Sequence, residues 1–294
     1  MLLEAEHLIG RAANCSLRLP ETHVSAQHAL LRWAGGRWEV RDLGSRNGTF
    51  VNGARLNPGE NCALSLGATL DFGGPQQPWE FVDDTAPSVM AVPLDGGAPI
   101  LLEGEFLGLP SAEDPTVTIY RGREGWMLEQ PDSTSALSHL QTFQAGHGMW
   151  RFCCPESVHL TEVEGEKRSR LGLEDLELVF SVSRDEEHVH LRAKSRERDF
   201  DLGSRNHNYV LLTLARQRLA DRNAGECESR CGWMYQDRFF RDPSIAPAQL
   251  NLDIFRIRRQ FAALGAIDAA NIVERRPRTK QLRIGSCGLT IVAV

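Results

Sequence analysis

Over the first eighty positions the hydrophobic residues come in short runs that alternate with polar ones. Ala29-Leu30-Leu31-Arg32-Trp33 and Arg37-Trp38-Glu39-Val40-Arg41 flank Ala34-Gly35-Gly36, and Thr49-Phe50-Val51 lies between Asn47-Gly48 and Asn52-Gly53. A period of two puts successive side chains on opposite faces of a strand, and Asn-Gly and Gly-Gly pairs tolerate the positive φ of tight turns. Short strands this closely spaced predict an all-β sandwich over residues 1–83.

From Asp83 to Pro99 the pattern breaks, with three prolines and Gly96-Gly97, which predicts a linker over 84–98. Strand patterns resume in Pro99-Ile100-Leu101-Leu102, Thr116–Tyr120, Trp126–Glu129 and Met149–Cys154, giving a second small β domain over 99–160. Its hairpin Thr118–Leu128 parallels Leu30–Val40, as in a degenerate copy of the first domain. Glu105 stands near the place where an arginine would be wanted, and no equivalent of the first domain's polar loops follows. This domain is expected to pack or space.

The chain changes character again over 170–294. Leu176–Val182 and His188–Arg192 read as strands, Phe200–Leu202 as another, and Gly203-Ser204-Arg205-Asn206 as the cap of a helix carrying Leu211, Leu214, Ala215 and Leu219. A final helix starts near Pro247, stripes Leu250, Ile254, Ile257, Phe261 and Leu264 along one face, and stops at Gly265. The spacing turns Asn251, Arg258 and Arg259 away from that stripe, with Arg256 at its flank and Leu252 and Phe255 near the outward side. Ile272–Glu274 and Gln281–Ile284 then bracket a basic tip, and Leu289–Val292 can add a last strand. Strands, helices and a basic hairpin in this order predict an α+β winged helix-turn-helix.

At 294 residues and 41% hydrophobic, the chain has room for two or three domains and is too apolar for disorder. No run approaches the roughly 20 apolar residues of a membrane helix, and the first residues lack a signal peptide's pattern. Seven cysteines with no CxxC suit a reducing compartment, so a cytoplasmic location is expected. Cys227 and Cys231 read as free thiols, and no metal or cofactor is expected. The net charge of −6 conceals +6 over residues 196–294 and −12 over the remainder. That asymmetry suggests an anionic partner for the C-terminal part. The familiar hydrolase, metalloprotease and nucleotide-binding patterns are missing from the sequence, which excludes an enzyme from the expected classes.

Three polar motifs punctuate the first domain: Gly10-Arg11, Ser25-Ala26-Gln27-His28, and Gly44-Ser45-Arg46-Asn47-Gly48-Thr49. In this order and spacing they resemble the signature of the forkhead-associated (FHA) domain, over residues 1–83. The resemblance implies binding of a Thr-phosphorylated protein. Phosphothreonine carries about −1.5 to −2 charges and three acceptor oxygens, which call for guanidinium, hydroxyl and amide donors converging from loops. By resemblance, Arg11 and Ser25 bind the phosphate with help from Arg46, and Asn47 holds the peptide backbone. His28 orients the Ser25 loop, and Gly10 and Gly48 meet backbone demands. Ala26 departs from the Asn or Arg found at that place in many members.

The segment Leu250–Phe261 resembles the recognition helix of OmpR/PhoB-type effector domains, although the wing lacks that family's Gly-x-Gly-Tyr ending. The resemblance implies double-stranded DNA as a further partner, with Arg256, Arg258 and Arg259 at the groove and Arg275, Arg276, Arg278 and Lys280 on phosphates. Two readings stand: a transcription regulator that couples phosphothreonine recognition to DNA binding, and a cytoplasmic signalling adaptor in which both ends bind proteins. No membrane partner is expected in either.

Overall fold

The computed structural model describes residues 5–74, 78–122, 125–131, 133–155, 171–241, 247–285 and 288–294. They divide between two compact units, one built on residues 5–89 and 153–155 and the other on 90–152 and 171–294.

The first unit is the expected β-sandwich. Its strands are β1 (Glu6–Gly10), β2 (Leu17–Arg18), β3 (Ala29–Ala34), β4 (Arg37–Asp42), β5 (Thr49–Val51), β6 (Ala54–Arg55), β7 (Asn61–Ala63), β8 (Thr69–Phe72) and β9 (Trp79–Glu80). One sheet runs β2-β1-β3-β4-β7 and the other β6-β5-β8-β9. The β3–β4 hairpin sets Leu31 opposite Val40 and Trp33 opposite Trp38. Ile9, Ala29, Leu31, Trp38, Val40, Val51, Leu70 and Phe72 meet in one core between the sheets. The Trp38 indole donates to the Thr85 carbonyl at 2.9 Å, which satisfies the one polar atom of a fully buried ring. That bond ties residue 85 to the sandwich.

The second unit starts earlier than the composition suggests. Met90 and Ala91 are buried, and β10 (Met90–Pro93) is a strand, so part of the expected linker 84–98 belongs to a core. There follow β11 (Ile100–Leu101), β12 (Phe106–Leu109), β13 (Val117–Gly122), β14 (Gly125–Gln130), β15 (Ser133–Ala136), β16 (Thr142–Ala145) and β17 (Gly148–Cys153). They make two sheets, β11-β10-β17-β16 and β12-β13-β14-β15, and Trp126 of one meets Phe152 of the other edge-on at 5.4 Å.

The two hairpins that look alike in sequence hold matching places: Ile119 faces Leu128 across β13–β14 as Leu31 faces Val40. Both lie inside a run of antiparallel neighbours. β12 is followed by Pro110-Ser111, where β1 is followed by Arg11, and Glu105 lies just before β12. The loop that follows carries the exposed carboxylates Glu113 and Asp114, wrong in sign for a phosphate.

The rest of this unit comprises β18 (Glu177–Val182), β19 (Val189–Lys194), β20 (Asp199–Ser204), α1 (Asn208–Asn223), β21 (Met234–Tyr235), α2 (Pro247–Ala263), β22 (Val273–Arg276), β23 (Gln281–Ile284) and β24 (Gly288–Ala293). β24 pairs in parallel with β18 in the sheet β20-β19-β18-β24, and β21-β23-β22 form a second small sheet. α1 begins later than its expected cap: its Ncap is His207, which makes no side-chain cap bond. α2 begins at Pro247 as expected, and Gly265 at φ +84° follows it.

The middle body 99–160 and the C-terminal body 170–294 were expected to be separate. The structure packs them as one, although the stretch where they would join lies outside the described residues. Phe106 belongs to the same core as Phe180, Leu211, Ile254, Phe255 and Phe261. The ring of Phe255 lies so close over Gly108 that a Cβ there would sit 2.9 Å from it.

Candidate functional site

Three loops gather at one end of the first sandwich. They follow β1 (Gly10-Arg11), precede β3 (His23–His28) and connect β4 to β5 (Leu43–Gly48). The first two are zipped by backbone: the Arg11 amide donates to the Ser25 carbonyl at 2.9 Å and the Ala12 amide to the Ala26 carbonyl at 3.0 Å. The approach is close enough that a Cβ on Gly10 would lie 2.4 Å from the Ala26 oxygen, so only glycine fits there without a shift.

His28, fully buried, links the second loop to the third. Its Nδ1 accepts from the Ser25 amide at 3.1 Å, which requires the proton on Nε2, and Nε2 donates to the Gly48 carbonyl at 3.1 Å. Burial holds its pKa below the ordinary histidine value, against the opposing pull of the Gly48 carbonyl and Asp42. The ring is neutral and acts as a strut.

Asp42 does the same work for the third loop. One carboxylate oxygen accepts from the amides of Gly44 (2.9 Å) and Ser45 (3.1 Å), the other from the hydroxyls of Ser45 (2.6 Å) and Thr49 (2.7 Å). Burial raises such a carboxyl, but these hydrogen bonds prevail and leave its pKa below the usual range.

The result is a set of donors held on fixed backbone. Ser25 Oγ accepts from the Arg46 amide at 3.0 Å, and Asn47 Nδ2 donates to the His23 carbonyl at 2.8 Å. Arg11 directs Nε to the Val24 carbonyl at 3.3 Å. Arg11, Arg46 and Asn47 are exposed and Ser25 is half-buried. Among the described residues no carboxylate pairs with Arg11 or Arg46. The structure therefore brings Arg11, Ser25, Arg46 and Asn47 to one edge, above the supports Gly10, His28 and Gly48.

Residues 7–73 match the family model described as FHA domain. This segment is an FHA domain. FhaB of Mycobacterium tuberculosis (strain CDC 1551 / Oshkosh) is 44% identical over 55 residues, which cover 19% of this chain and 36% of FhaB. FhaA of Mycobacterium tuberculosis (strain ATCC 25618 / H37Rv) is 45% identical over 72 residues, 24% of this chain and 13% of FhaA. The chain thus spans well under half the length of these curated relatives. A structure solved in an analysis of phosphothreonine-dependent FHA domain interactions is 38% identical, covering 24% of this chain and 72% of that one, with a TM-score of 0.23.

Two supports of the FHA site escaped the sequence reading. Asp42 is announced only by its place two residues before Gly44, the Asp-x-Gly of a side-chain-capped turn. Gly73, at φ +97°, sits where a Cβ would be 2.7 Å from the His23 carbonyl and 3.1 Å from Asn47 Cβ; no local motif marks it.

The C-terminal candidates divide. Arg256 and Arg259 are exposed on α2, and Arg259 pairs with Glu103 at 3.2 Å. Arg276 is exposed but stacks on Trp233, 3.8 Å from the ring centroid, while Arg278 and Lys280 are exposed at the hairpin tip. Arg258 and Arg275 are not surface groups. Arg258 is buried, with both terminal nitrogens on the Glu129 carboxylate (2.7 and 3.1 Å) and one also on the Val273 carbonyl (2.8 Å). Arg275 lies beside the same carboxylate at 3.0 Å and donates to Asn251. The side of α2 that turns away from its own core is covered by β12 and β14. Helical periodicity could not show this, because the covering residues come from more than a hundred positions earlier.

Proposed function

We propose that the FHA domain grips a phosphothreonine on a partner protein, and that the chain is a phosphorylation-dependent binding protein without catalytic activity. The observation that carries this reading is the convergence of Arg11, Ser25 and Arg46 above the His28 strut. A guanidinium pair with no carboxylate paired to it among the described residues, next to a hydroxyl, answers the charge and the acceptors of a phosphate monoester. The Asn47 side chain, fixed beside them, is placed for the peptide backbone. Likeness to FhaA and FhaB supports the same reading.

For the C-terminal part, the adaptor reading is favoured over DNA recognition by α2. The order α1, β21, α2, β22–β23 suits a winged-helix arrangement, yet Phe255 and Arg258, on the side that would enter a groove, are buried against β12 and β14. A regulator would need that contact to open. Arg278 and Lys280, exposed at the hairpin tip, offer a phosphate backbone a weak, salt-sensitive contact that does not need α2.

Calorimetric titration of the full chain with matched phosphorylated and unphosphorylated threonine peptides tests the first reading: heat is expected only with the phosphorylated peptides, and equal binding of both would end it. An ionic-strength series with duplex DNA separates the other two. Sequence-selective retention at physiological salt would restore the regulator.

A further inference from the structure

The sequence Asp-Leu-Gly-Ser-Arg-Asn occurs twice, at 42–47 and at 201–206, and the two copies fold alike at their start. In the first, the Asp42 carboxylate accepts from the Gly44 amide at 2.9 Å with Gly44 at φ +78°. In the second, the Asp201 carboxylate accepts from the Gly203 amide at 2.8 Å with Gly203 at φ +71°. Beyond the glycine both copies present an exposed Arg-Asn pair: Arg46-Asn47 at the FHA site, Arg205-Asn206 at the entry to α1.

Arg205 and Asn206 line a cleft of about 600 Å³ between the β18–β19 turn, the start of α1 and the first half of α2. Arg256 lines it from α2 and Tyr209 from α1. Both guanidiniums lie near enough to act electrostatically on His207, which is held by Gln260 at 3.1 Å. Among the described residues neither Arg205 nor Arg256 makes a close ion pair with a carboxylate, and Arg256 is near enough to Asp253 to act on it electrostatically. Three acids share the walls. Glu186 is engaged by both terminal nitrogens of Arg216 at 2.9 and 3.1 Å. Asp253 is buried and accepts from Gln249 at 2.8 Å. Glu187 is the remaining carboxylate at the rim.

We propose that this cleft is a second anion site, taking the phosphate of a small phosphate monoester between Arg205 and Arg256. Two guanidiniums without a close ion pair among the described residues, and the amide of Asn206, match a dianion with several acceptor oxygens. Along the same wall Asp253 and Gln249 offer acceptors and donors to a hydroxylated or aminated remainder, which inorganic phosphate lacks. A cleft of this volume is of the size that encloses a small molecule. The inference stands on the cleft's own residues and is independent of the FHA reading.

The test uses the full chain carrying Arg11→Ala, which silences the first site. Titration with inorganic phosphate, glycerol phosphate, nucleoside monophosphates and a phosphothreonine peptide, read by calorimetry and by ³¹P resonance shifts, compares the possible sources. Saturable binding of a small monoester, tighter than of inorganic phosphate and weakened at least tenfold by Arg256→Gln and by Arg205→Gln, is expected. Arg256 is exposed on a formed helix, so its variant keeps the fold even if the other does not. Binding of inorganic phosphate alone, of the peptide alone, or of a monoester with no loss in either variant overturns the proposal. Loss of phosphopeptide binding in Arg11→Ala, by contrast, reports only on the FHA site.

Discussion

Arg258 of α2 and Glu129 of β14, 129 positions apart, form a two-pronged ion pair with both side chains nearly out of solvent, at 2% and 6% exposure. Arg275 adds a second positive charge to the same carboxylate. Removing one partner of a buried pair leaves a charge that water cannot reach, which costs about 3–5 kcal/mol. Glu129→Ala is therefore expected to destabilise the second unit by that order, more than Arg258→Ala, because it strands two guanidiniums. Denaturant midpoints of the two variants check this. A loss below about 1 kcal/mol in both would mean that the pair is not buried in solution.

At the FHA site, Arg11→Ala and Ser25→Ala remove a guanidinium and a hydroxyl without touching a core residue. Each is expected to reduce phosphopeptide affinity at least tenfold, the equivalent of about 1.4 kcal/mol, and to leave thermal stability within about 0.5 kcal/mol of the parent. Ser25→Ala also frees the Arg46 amide, so its binding loss should exceed that of Arg46→Ala, whose amide bond survives. Fluorescence anisotropy with one labelled peptide ranks the three.

The neutral His28 strut makes the first unit sensitive to acid. The ordinary histidine pKa is near 6.5, and burial lowers it in the folded domain. Above that value both states hold a neutral ring. Below it the unfolded chain takes up a proton that the folded chain resists, so stability declines as pH falls from about 6.5 through the folded value. Melting curves between pH 7.5 and 5 should show the decline, and it should flatten in His28→Gln, measured against that variant's own value at pH 7.5.

Asp42 has no contact with a ligand in the proposed mode, yet its four hydrogen bonds shape the loop that carries Arg46 and Asn47. Asp42→Ala is expected to cost on the order of 3 kcal/mol in the first unit, since bonds to a charged group are worth about 1.5–3 kcal/mol each and do not add fully. Phosphopeptide binding should be lost with it. Thr49→Val, which deletes one of the four donors, should fall between Asp42→Ala and the parent in both measurements.

Gly73→Ala is a sharper probe of packing. The added carbon meets the His23 carbonyl and Asn47 Cβ, and the backbone is left-handed at φ +97°. A loss of more than about 1 kcal/mol is expected, together with weaker peptide binding through displaced Asn47. Gly67→Ala shares the strained φ, at +80°, with nothing near its Cβ; it should lose stability and keep binding.

What could be read from the sequence followed local physics. The period-two runs around Gly35-Gly36 and the Asn-Gly turns placed β3, β4 and β5, and the stripe from Leu250 to Phe261 placed α2 within a turn, because strand alternation and helix periodicity are properties of neighbouring residues. That the loops of Arg11, Ser25 and Asn47 meet was legible because loops at one end of a sandwich carry recognisable spacings. Asp42 and Gly73 were not, since their importance lies in a hydrogen-bond count and a close approach that exist only after folding. Arg258 and Arg275 misled for the same reason: an arginine on the polar side of a helix reads as solvated until a carboxylate from a distant strand is found facing it. The echo at 201–206 is a related case, in which six residues repeat a turn but one copy continues into a strand and the other into a helix.

With Gly108 beneath the Phe255 ring and Glu129 answering Arg258, neither the strands over 90–152 nor the elements over 171–294 can be excised cleanly. A fragment of either half would expose an aromatic seat or an orphan charge and would be expected to aggregate or stay unfolded. The strands over 90–152 and the elements over 171–294 are therefore expected to pass through recombination only together.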